Sequence, residues 1–519
     1  MMNSEDKNAL LRQGLACLQE GNPNQAIALF VSSMSASETF DALHLLGVSY
    51  FRLKKFKRAL ALLELAETLR PNVGGVKVNI GNVLFEMREY SQAIHYYRQA
   101  LDKGEHPKDL YFNIGNAYAK LFDAEKACES YRLSVEAGNE DTGLHVLIAQ
   151  QLTHAGQFDA ASGVLHVLSQ HEQCREVAFS LEVTLNYEQG NFDKVRQLLD
   201  DENRWVDTPY LRDYITSQLN FLTGKFEDGG RFFDARLLHK EFSQGAITPA
   251  GARWDGQAAL RGKTIFLHAE QGIGDAIQYM RFVLPLLKQG AEVILEVHNA
   301  LSRVARSLSD KVSIVVRGAK LPTYDYHCPL MSLPFTMGLA GNQLSVDNAY
   351  LYASDIDRNH WKNRISAVAP SARRKIGIAW KGNARHVRDR VRSMELRAML
   401  PLFALDAEFL VMQKEISSEE GELLAQFDNI TIISDGFADF SDTIAALANI
   451  DLMITVDTSM AHIAGASGIP VWLLLSHVPD ARWMLERSDS PWYPSATLFR
   501  QPRWGDWSSV ISTVVKSLK

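Results

Sequence analysis

A polar segment near the C-terminus combines residue types that suit the binding of an anion. Residues 454–466 are Ile-Thr-Val-Asp-Thr-Ser-Met-Ala-His-Ile-Ala-Gly-Ala, a pattern that predicts a buried strand ending at Asp457 and a helix beginning near Ser459. Unpaired N–H groups and the helix dipole at such a start favour a diphosphate. Thr458 and Ser459 add hydroxyl donors. His462 lies one turn further on, where a histidine taken alone is more often structural than catalytic.

A glycine-rich turn that carries an aspartate is the second candidate. Residues 268–278 are His-Ala-Glu-Gln-Gly-Ile-Gly-Asp-Ala-Ile-Gln, and we predict a strand-to-helix turn here because glycines allow a tight bend and close approach of a ligand. Asp275 would stand on the first helical turn and point into a cleft. Dinucleotide binding is an alternative that Gly272 and Gly274 fit, but Ile277 occupies the place of the required third glycine. A second alternative is that Asp275 only caps the helix.

A basic loop follows the predicted strand that ends at Trp380. Its Lys381 and Asn383 precede a run of cationic residues, which are Arg385, His386, Arg388, Arg390 and Arg392. Such cations could neutralise a departing nucleotide diphosphate. The alternative is a solvated loop, and Asp389 already balances part of the charge. We therefore expect contacts from Lys381 and only one or two arginines.

Two further acidic sites stand out in the sequence. Glu415 follows the next predicted strand and could accept hydrogen bonds from ribose hydroxyls, or it could be an ordinary surface carboxylate. Asp355-Ile356-Asp357 has the spacing of a metal-binding pair of aspartates. Because we expect it in a polar linker and not at a strand end, we interpret it as a chance match.

These candidates need a scaffold of parallel strands to bring them together. Short β-rich runs alternate with amphipathic helices, which favours parallel sheets. The predicted strands of a first set are Thr264–His268, Glu292–Val297, Val312–Val316 and Tyr324–Cys328. Those of a second set are Lys375–Trp380, Phe409–Gln413, Ile430–Ile433, Leu452–Val456 and Val471–Leu475. We predict two Rossmann-like halves, residues 263–360 and 374–519, with ligands bound beyond the carboxyl ends of the strands.

The part of the chain before the sheets repeats with a period of 34 residues. Small residues recur at that spacing as Gly47, Gly81 and Gly115, and as Ala59, Ala93 and Ala127. Large residues follow each alanine by four positions, as Leu63, Tyr97 and Tyr131. Paired antiparallel helices need small residues at their closest approach and large ones between them. The pattern resembles the tetratricopeptide repeat.

Weaker copies of the same pattern extend the predicted array to about seven units over residues 7–240, followed by a linker at 241–262. Such arrays bind polypeptides on a concave face. Two units carry asparagines at equivalent positions, which are Asn79, Asn82, Asn113 and Asn116. These side chains could hydrogen-bond the backbone of a bound peptide. We favour the alternative that they are ordinary residues of the repeat.

Bulk properties narrow the class of protein. The chain has 519 residues and a net charge of −7, which argues against a general nucleic-acid binder. Its four cysteines form no CxxC motif, and its N-terminal residues lack the apolar core of a signal peptide. The strongest apolar runs, such as residues 471–475, are far shorter than the roughly 18 residues of a membrane span. We expect a cytoplasmic protein without a membrane span.

The four segments around Asp275, Lys381, Glu415 and Asp457 together resemble a group of bacterial glycosyltransferases, the family-9-like group that contains the lipopolysaccharide heptosyltransferases. The resemblance is to the branch of this group that is fused to tetratricopeptide repeats. Ser490-Pro491-Trp492-Tyr493-Pro494 adds to the resemblance, which covers roughly residues 262 to 510. It implies a GT-B fold and an inverting, metal-independent transfer without a cofactor, from a nucleotide-diphosphate sugar. It also implies that Asp275 is the general base. We predict that the donor is bound by Gly274, Lys381, Asn383, Glu415, Asp457, Thr458, Ser459, Met460 and His462, of which the resemblance itself implies Lys381, Asp457, Thr458 and His462.

Two departures from the family pattern shape the expected acceptor. The first half is short, and Ser459-Met460 stands where a glycine is usual. We therefore expect not lipopolysaccharide but a protein hydroxyl, presented by the repeats. The main alternative is a non-catalytic repeat scaffold with a degenerate GT-B module. Asp275 and the helix start after Asp457 argue against it, because both candidate sites keep residues suited to the chemistry. A sugar epimerase is a more distant alternative, since it would not need a peptide-binding array.

Overall fold

The computed structural model describes residues 4–34, 39–121, 123–206, 208–238, 249–339, 341–344, 349–383 and 388–519. The chain separates into two compact units, Met1–Leu185 and Asn186–Lys519, and each is described by itself. The domain boundaries predicted above follow the repeat pattern of the sequence, whereas these two units follow the contacts within the fold. The predicted boundaries therefore stay predictions.

Among the described residues up to Phe232, fourteen α-helices succeed one another. Their bounds are α1 Ser4–Gln19, α2 Pro23–Ser33, α3 Phe40–Arg52, α4 Phe56–Leu69, α5 Gly74–Glu86, α6 Tyr90–Asp102, α7 Pro107–Lys120, α8 Ala124–Glu136, α9 Gly143–His154, α10 Phe158–Ser169, α11 Arg175–Gln189, α12 Phe192–Asp200, α13 Pro209–Leu222 and α14 Phe226–Phe232. Within the first unit α1 to α10 pack as consecutive pairs. The predicted helical repeat array is confirmed.

Close approach between paired helices explains the repeated glycines. A Cβ atom at Gly81 would lie 2.5 Å from Cε1 of Tyr97, and one at Gly115 would lie 2.5 Å from Cε1 of Tyr131. Both separations are far below van der Waals contact, so a ring from one helix fills the space that the glycine of its partner leaves open. Gly14 repeats the arrangement with Phe30, which supports the weaker first copy of the pattern.

Three of the four asparagines singled out in the repeats have partners within the array. The hydroxyl group of Tyr97 donates to Asn82 at 2.9 Å, and that of Tyr131 donates to Asn116 at 2.8 Å. The amide of Asn79 bonds to the imidazole of His44 at 2.7 Å. These bonds support the interpretation that asparagine at these positions joins helices of the array.

The second unit contains two parallel sheets. The strands are β1 Ala252–Arg253, β2 Thr264–His268, β3 Glu292–Val297, β4 Val312–Val316, β5 Tyr326–Pro329, β6 Arg374–Ala379, β7 Ala407–Val411, β8 Ile430–Ile432, β9 Leu452–Val456, β10 Val471–Leu475 and β11 Ala496–Arg500. Their orders are β1-β5-β2-β3-β4 and β11-β10-β9-β6-β7-β8. We call the described residues from 249 onward the α/β module, with β1–β5 in its first half and β6–β11 in its second. The predicted α/β class is confirmed.

Helices connect the strands of the module. Those of the first half and the link between halves are Ile273–Tyr279, Val283–Lys288, Ser302–Ala305, Leu333–Thr336 and Asp355–Val368. Those of the second half are Asp389–Arg392, Leu400–Phe403, Ser418–Leu424, Phe440–Leu447, Ser459–Ala466 and Trp507–Leu518. No helix in the described part of the chain is long and apolar enough to cross a membrane.

The observed strands differ from the predicted ones in several places. β5 begins at Tyr326, two residues later than predicted, and its register pairs Tyr326 with Ile265 of β2. The two-residue β1 lies inside the predicted linker, because a strand this short leaves no periodicity in the sequence. β11 was not predicted, although all five of its residues align in register with β10.

The acidic pair of residues 355 and 357 begins a helix and does not lie in a linker. Ser354 caps this helix by accepting a hydrogen bond from the Asp357 amide at 3.1 Å. Carboxylates in a first turn are stabilised by the helix dipole. The spacing that imitates a metal motif therefore has a structural explanation.

A large apolar core joins the two halves of the α/β module, and a separate cluster that includes Trp380 and Phe409 lies within the second half. The large core includes Phe221 of α13, Leu267 of the first half, and Trp492 of the second half. Tyr187 and Phe192 pack against the same core. Helices α12 to α14 consequently share their packing with the α/β module.

Candidate active site

A cleft of about 670 Å³ opens at the carboxyl ends of strands from both halves of the α/β module. Its walls are the segments that follow β2, β3, β6, β7, β8, β9 and β10. All ten site residues predicted from the sequence line it: Gly274, Asp275, Lys381, Asn383, Glu415, Asp457, Thr458, Ser459, Met460 and His462. The structure thus brings them together, while their chemical roles stay predictions.

Asp275 both caps its helix and faces the cleft. Oδ2 accepts a hydrogen bond from the Gly272 amide at 3.0 Å, which is the structural role considered as an alternative above. Oδ1 instead forms an ion pair with Nη2 of Arg482 at 2.7 Å. The two oxygens therefore have different partners, and the cap does not remove the carboxylate from the cleft.

Arg482, which sequence analysis did not single out, is the centre of a polar cluster in the cleft. Its Nε donates to Asp480 at 2.8 Å and its Nη1 to Gln278 at 2.6 Å. Residues 479–483, Pro-Asp-Ala-Arg-Trp, follow β10. Their position beyond the carboxyl end of a parallel strand is the signal that would have found them.

Two neighbouring carboxyl groups of the cleft have opposite pKa shifts. Burial and the neighbouring Asp480 raise the pKa of Asp457. Burial also opposes ionisation of Asp480, but the Arg482 guanidinium outweighs it and lowers the pKa of Asp480. The cation thus keeps Asp480 charged, and Asp457 is the member of the pair that more readily holds a proton.

The predicted helix start after Asp457 is present in the structure. Thr458 is the N-cap of the helix Ser459–Ala466, and its hydroxyl oxygen accepts a hydrogen bond from the Met460 amide at 3.2 Å. Thr458, Ser459 and Met460 are half-buried at the wall of the cleft. The positive end of this helix dipole is therefore directed at the space a ligand would fill.

His462 is a buried and uncharged member of the cluster. Burial, and then the Arg482 cation, lower the pKa of its imidazole. Nδ1 lies 2.9 Å from the hydroxyl oxygen of Tyr493, and Nε2 lies 3.4 Å from Nη1 of Arg482. Since a guanidinium can only donate, Nε2 accepts and Nδ1 carries the proton. The ring also stacks on Trp483, with centroids 5.5 Å apart.

Gly274 allows the first half to approach His462 closely. A Cβ atom at Gly274 would lie 2.7 Å from Cδ2 of that imidazole. Close packing of the helix Ile273–Tyr279 against the helix Ser459–Ala466 is therefore a reason for glycine here, in addition to the predicted contact with a donor.

Cations of the basic loop have protein partners. Nζ of Lys381 pairs with Oε2 of Glu420 at 2.5 Å. Arg388 pairs with Glu188 at 2.9 Å, and Arg392 pairs with Asp389 at 3.2 Å. Arg385 and His386 lie outside the described residues.

Two of the ten residues lie at the exposed edge of the cleft. Asn383 and Glu415 are exposed and follow β6 and β7 respectively. Between them, the Gln413 side chain accepts hydrogen bonds from the amides of Trp380 and Lys381, at 3.3 Å and 3.2 Å, and so joins the two strand ends. Among the described residues, no group of three or more His, Cys, Asp or Glu side chains is arranged to hold a metal ion.

Comparison with known proteins identifies the repeats. Models of the tetratricopeptide repeat match residues 40–73 and 78–142. The chain therefore contains tetratricopeptide repeats. Protein FlbA of Caulobacter vibrioides is 23% identical over 334 residues, which are 60% of this chain and 55% of FlbA. The chain thus spans about half the length of that relative.

Solved structures of other proteins also match part of the chain. MamA of Desulfovibrio magneticus RS-1, from residue 41 to its end, is 18% identical, with a TM-score of 0.31 over 33% of this chain and 98% of MamA. PilF of Pseudomonas aeruginosa is 19% identical, with a TM-score of 0.33 over 39% of this chain and 93% of PilF.

Proposed function

We propose that the α/β module transfers a sugar from a nucleotide-diphosphate donor to an acceptor hydroxyl, with inversion and without a metal ion. The observation that carries this proposal is the convergence on one cleft of ten residues selected from the sequence for that chemistry. Its size, about 670 Å³, is within the range of small-molecule sites.

The donor diphosphate is assigned to the start of the helix Ser459–Ala466. Backbone N–H groups and the helix dipole suit an anion there. Lys381 lines the same cleft, and its ammonium group would approach the phosphates after partial release from Glu420. Exposed Asn383 and Glu415 at the edge of the cleft suit the hydroxyl groups of the nucleoside.

In the proposed reaction, the acceptor oxygen attacks the anomeric carbon while Asp275 accepts the hydroxyl proton. The bond from that carbon to the diphosphate oxygen breaks, and the diphosphate leaves with the electron pair. Positive charge from Lys381 and the helix start stabilises the leaving group. A single displacement from the opposite face inverts the anomeric centre.

The proposed acceptor is a hydroxyl group of a protein held by the repeats. Tetratricopeptide repeats in the first unit support a polypeptide partner. A non-catalytic scaffold would use the same repeats, so the distinction between the two functions depends on the cleft.

The first test is binding of nucleotide-diphosphate sugars by the full-length chain, measured as a shift in melting temperature. A ligand at one hundred times its Kd adds about 2.7 kcal/mol of stability. We expect stabilisation by at least one such sugar, and a weaker shift for Lys381→Met. Absence of a shift with every diphosphate nucleotide would favour the scaffold.

Asp275→Asn tests the proposed base. The amide keeps an oxygen for the helix cap but cannot accept the acceptor proton, so we expect transfer to fall by about 10²–10⁴-fold with donor binding retained. Asp506→Asn is the matched control, since Asp506 caps the helix Trp507–Leu518 and does not line the cleft. Full transfer by Asp275→Asn would exclude this role for Asp275.

A further inference from the structure

Arg482 connects the two halves of the α/β module. It belongs to the segment after β10 in the second half, where Asp480 accepts from its Nε at 2.8 Å. Its other nitrogen atoms reach one face of the helix Ile273–Tyr279 in the first half. There Asp275 accepts at 2.7 Å and Gln278, one turn further, accepts at 2.6 Å.

The bridge is shielded from solvent. The side chains of Arg482 and Asp275 are only 16% and 17% exposed. Water and salt compete weakly with an ion pair at this depth, and loss of one partner would leave a carboxylate without compensation. We therefore expect this ion pair to hold the two side chains in one arrangement, whereas a surface ion pair would fluctuate.

The bridge also fixes the orientation of the Asp275 carboxylate. The Gly272 amide holds Oδ2 from within the same helix, whereas Arg482 holds Oδ1 from the opposite half. With the first contact alone, the carboxylate could rotate about its side-chain bonds while keeping the cap. Both contacts together allow one orientation toward the cleft.

We propose that Arg482 is a positioning residue, which sets the orientation of Asp275 for proton acceptance by tying it to Asp480 across the cleft. This inference rests on the proposed function, because it presumes that Asp275 is the base. It implies that the base has its working geometry only while the two halves are in contact.

Arg303 provides a matched control. It too joins the halves, from the helix Ser302–Ala305 to Asp439 at 3.0 Å and Asp442 at 3.1 Å. Its side chain is 44% exposed, and its carboxylate partners do not include Asp275. Loss of this bridge removes an ion pair between the halves without altering the cluster around Asp275.

The kinetic test compares Arg482→Lys with Arg303→Lys in the full-length chain. Lysine keeps the charge but cannot reach Asp480, Asp275 and Gln278 together. Since a misplacement of about 1 Å costs about a hundredfold in rate, we expect kcat of Arg482→Lys to fall about a hundredfold. The KM for the donor should stay within about twofold of wild type, and Arg303→Lys should keep wild-type kcat. Unchanged kcat in Arg482→Lys, or a loss confined to KM, would overturn the proposal.

Amide hydrogen exchange tests the bridge without requiring turnover. We expect faster exchange of residues 272–279 in Arg482→Lys and unchanged exchange there in Arg303→Lys. Unaltered exchange at 272–279 in Arg482→Lys would show that Arg482 does not hold this segment. A wild-type chain that binds and transfers no sugar would instead contradict the proposed function, so the two failures are distinguishable.

Discussion

At the residue scale, several of the cations that line the cleft have a carboxylate partner in the protein. Lys381 pairs with Glu420, Arg392 with Asp389, and Arg482 with Asp275 and Asp480. An entering diphosphate therefore competes with these carboxylates. The proposed affinity for a donor then depends more on the start of the helix Ser459–Ala466 than on a surplus of positive side chains.

Glu420 offers a test of one of these pairs through pH. It holds Lys381, accepts from the Trp380 indole at 2.8 Å, and caps the helix Ser418–Leu424. Burial opposes its ionisation, but Lys381 and the hydrogen bonds outweigh burial and lower the pKa of Glu420. A lowered folded pKa means that the stabilisation is present above the unfolded value of about 4.3 and is lost as pH falls through the folded pKa.

We expect Glu420→Gln to have a lower melting temperature than wild type at pH 7. The loss of unfolding free energy should be about 1 kcal/mol, because the helix cap and the ion pair are both weakened. The difference should shrink as pH falls below about 4, because the wild-type carboxyl group is then protonated as well. Glu422→Gln, an exposed carboxylate of the same helix, should show no such pH dependence. A difference that stays constant down to pH 3 would contradict the assignment.

At the scale of elements, paired helices of the array are joined by one repeated contact between a glycine and a large side chain. The ring of Tyr97 is buried against Gly81 and is also held by its hydrogen bond to Asn82. It consequently has little freedom to move away from an added methyl group. Ala59, Ala93 and Ala127 supply the other small positions, all fully buried.

Gly81→Ala should therefore destabilise the first unit by about 1–3 kcal/mol through overpacking, although alanine is the better helix former. Gly163→Ala is the control, since a Cβ atom there meets nothing within 4 Å and the position is exposed in α10. That substitution should stabilise by up to about 1 kcal/mol. The melting temperatures of the two variants test this explanation. Equal changes of the same sign in both melting temperatures would refute it.

At the scale of the whole molecule, the segment before residue 240 is not all separable from the α/β module. The fully buried Arg236 donates to Glu270 at 2.5 Å and to Ser332 at 2.8 Å within the second unit. Removal of one partner of a buried ion pair costs about 3–5 kcal/mol. A truncation that deletes Arg236 would therefore destabilise the α/β module itself. Any loss of activity in that truncated chain would not reveal the role of the repeats.

A chain that begins at Glu172 keeps α11 complete and retains Arg236. We expect it to bind the same nucleotide sugar as the full-length chain, with unchanged Kd by calorimetry, and to lose transfer to a protein acceptor. A chain that begins at residue 241 should fail to fold. Undiminished transfer to protein by the first truncation would exclude presentation of the acceptor by the deleted repeats.

Local patterns predicted much of this structure because they repeat or alternate. The 34-residue spacing locates Gly81 opposite Tyr97, and the end of a buried strand locates Asp457 at a sheet edge. Partners distant in sequence leave no such trace. Lys381 and Glu420 are 39 residues apart, and Asp275 and Arg482 are 207 apart, so only the folded chain reveals these pairs.

The repeated glycine-and-ring contact has a consequence for how such chains change in length. Each helix pair is packed internally through the same small and large positions, so a duplicated block of 34 residues would carry its own internal contacts with it. Gain or loss of a whole unit by unequal recombination would therefore preserve the packing inside every remaining unit. The same array could thus be lengthened for a longer partner while the sequence of the α/β module stayed unaltered.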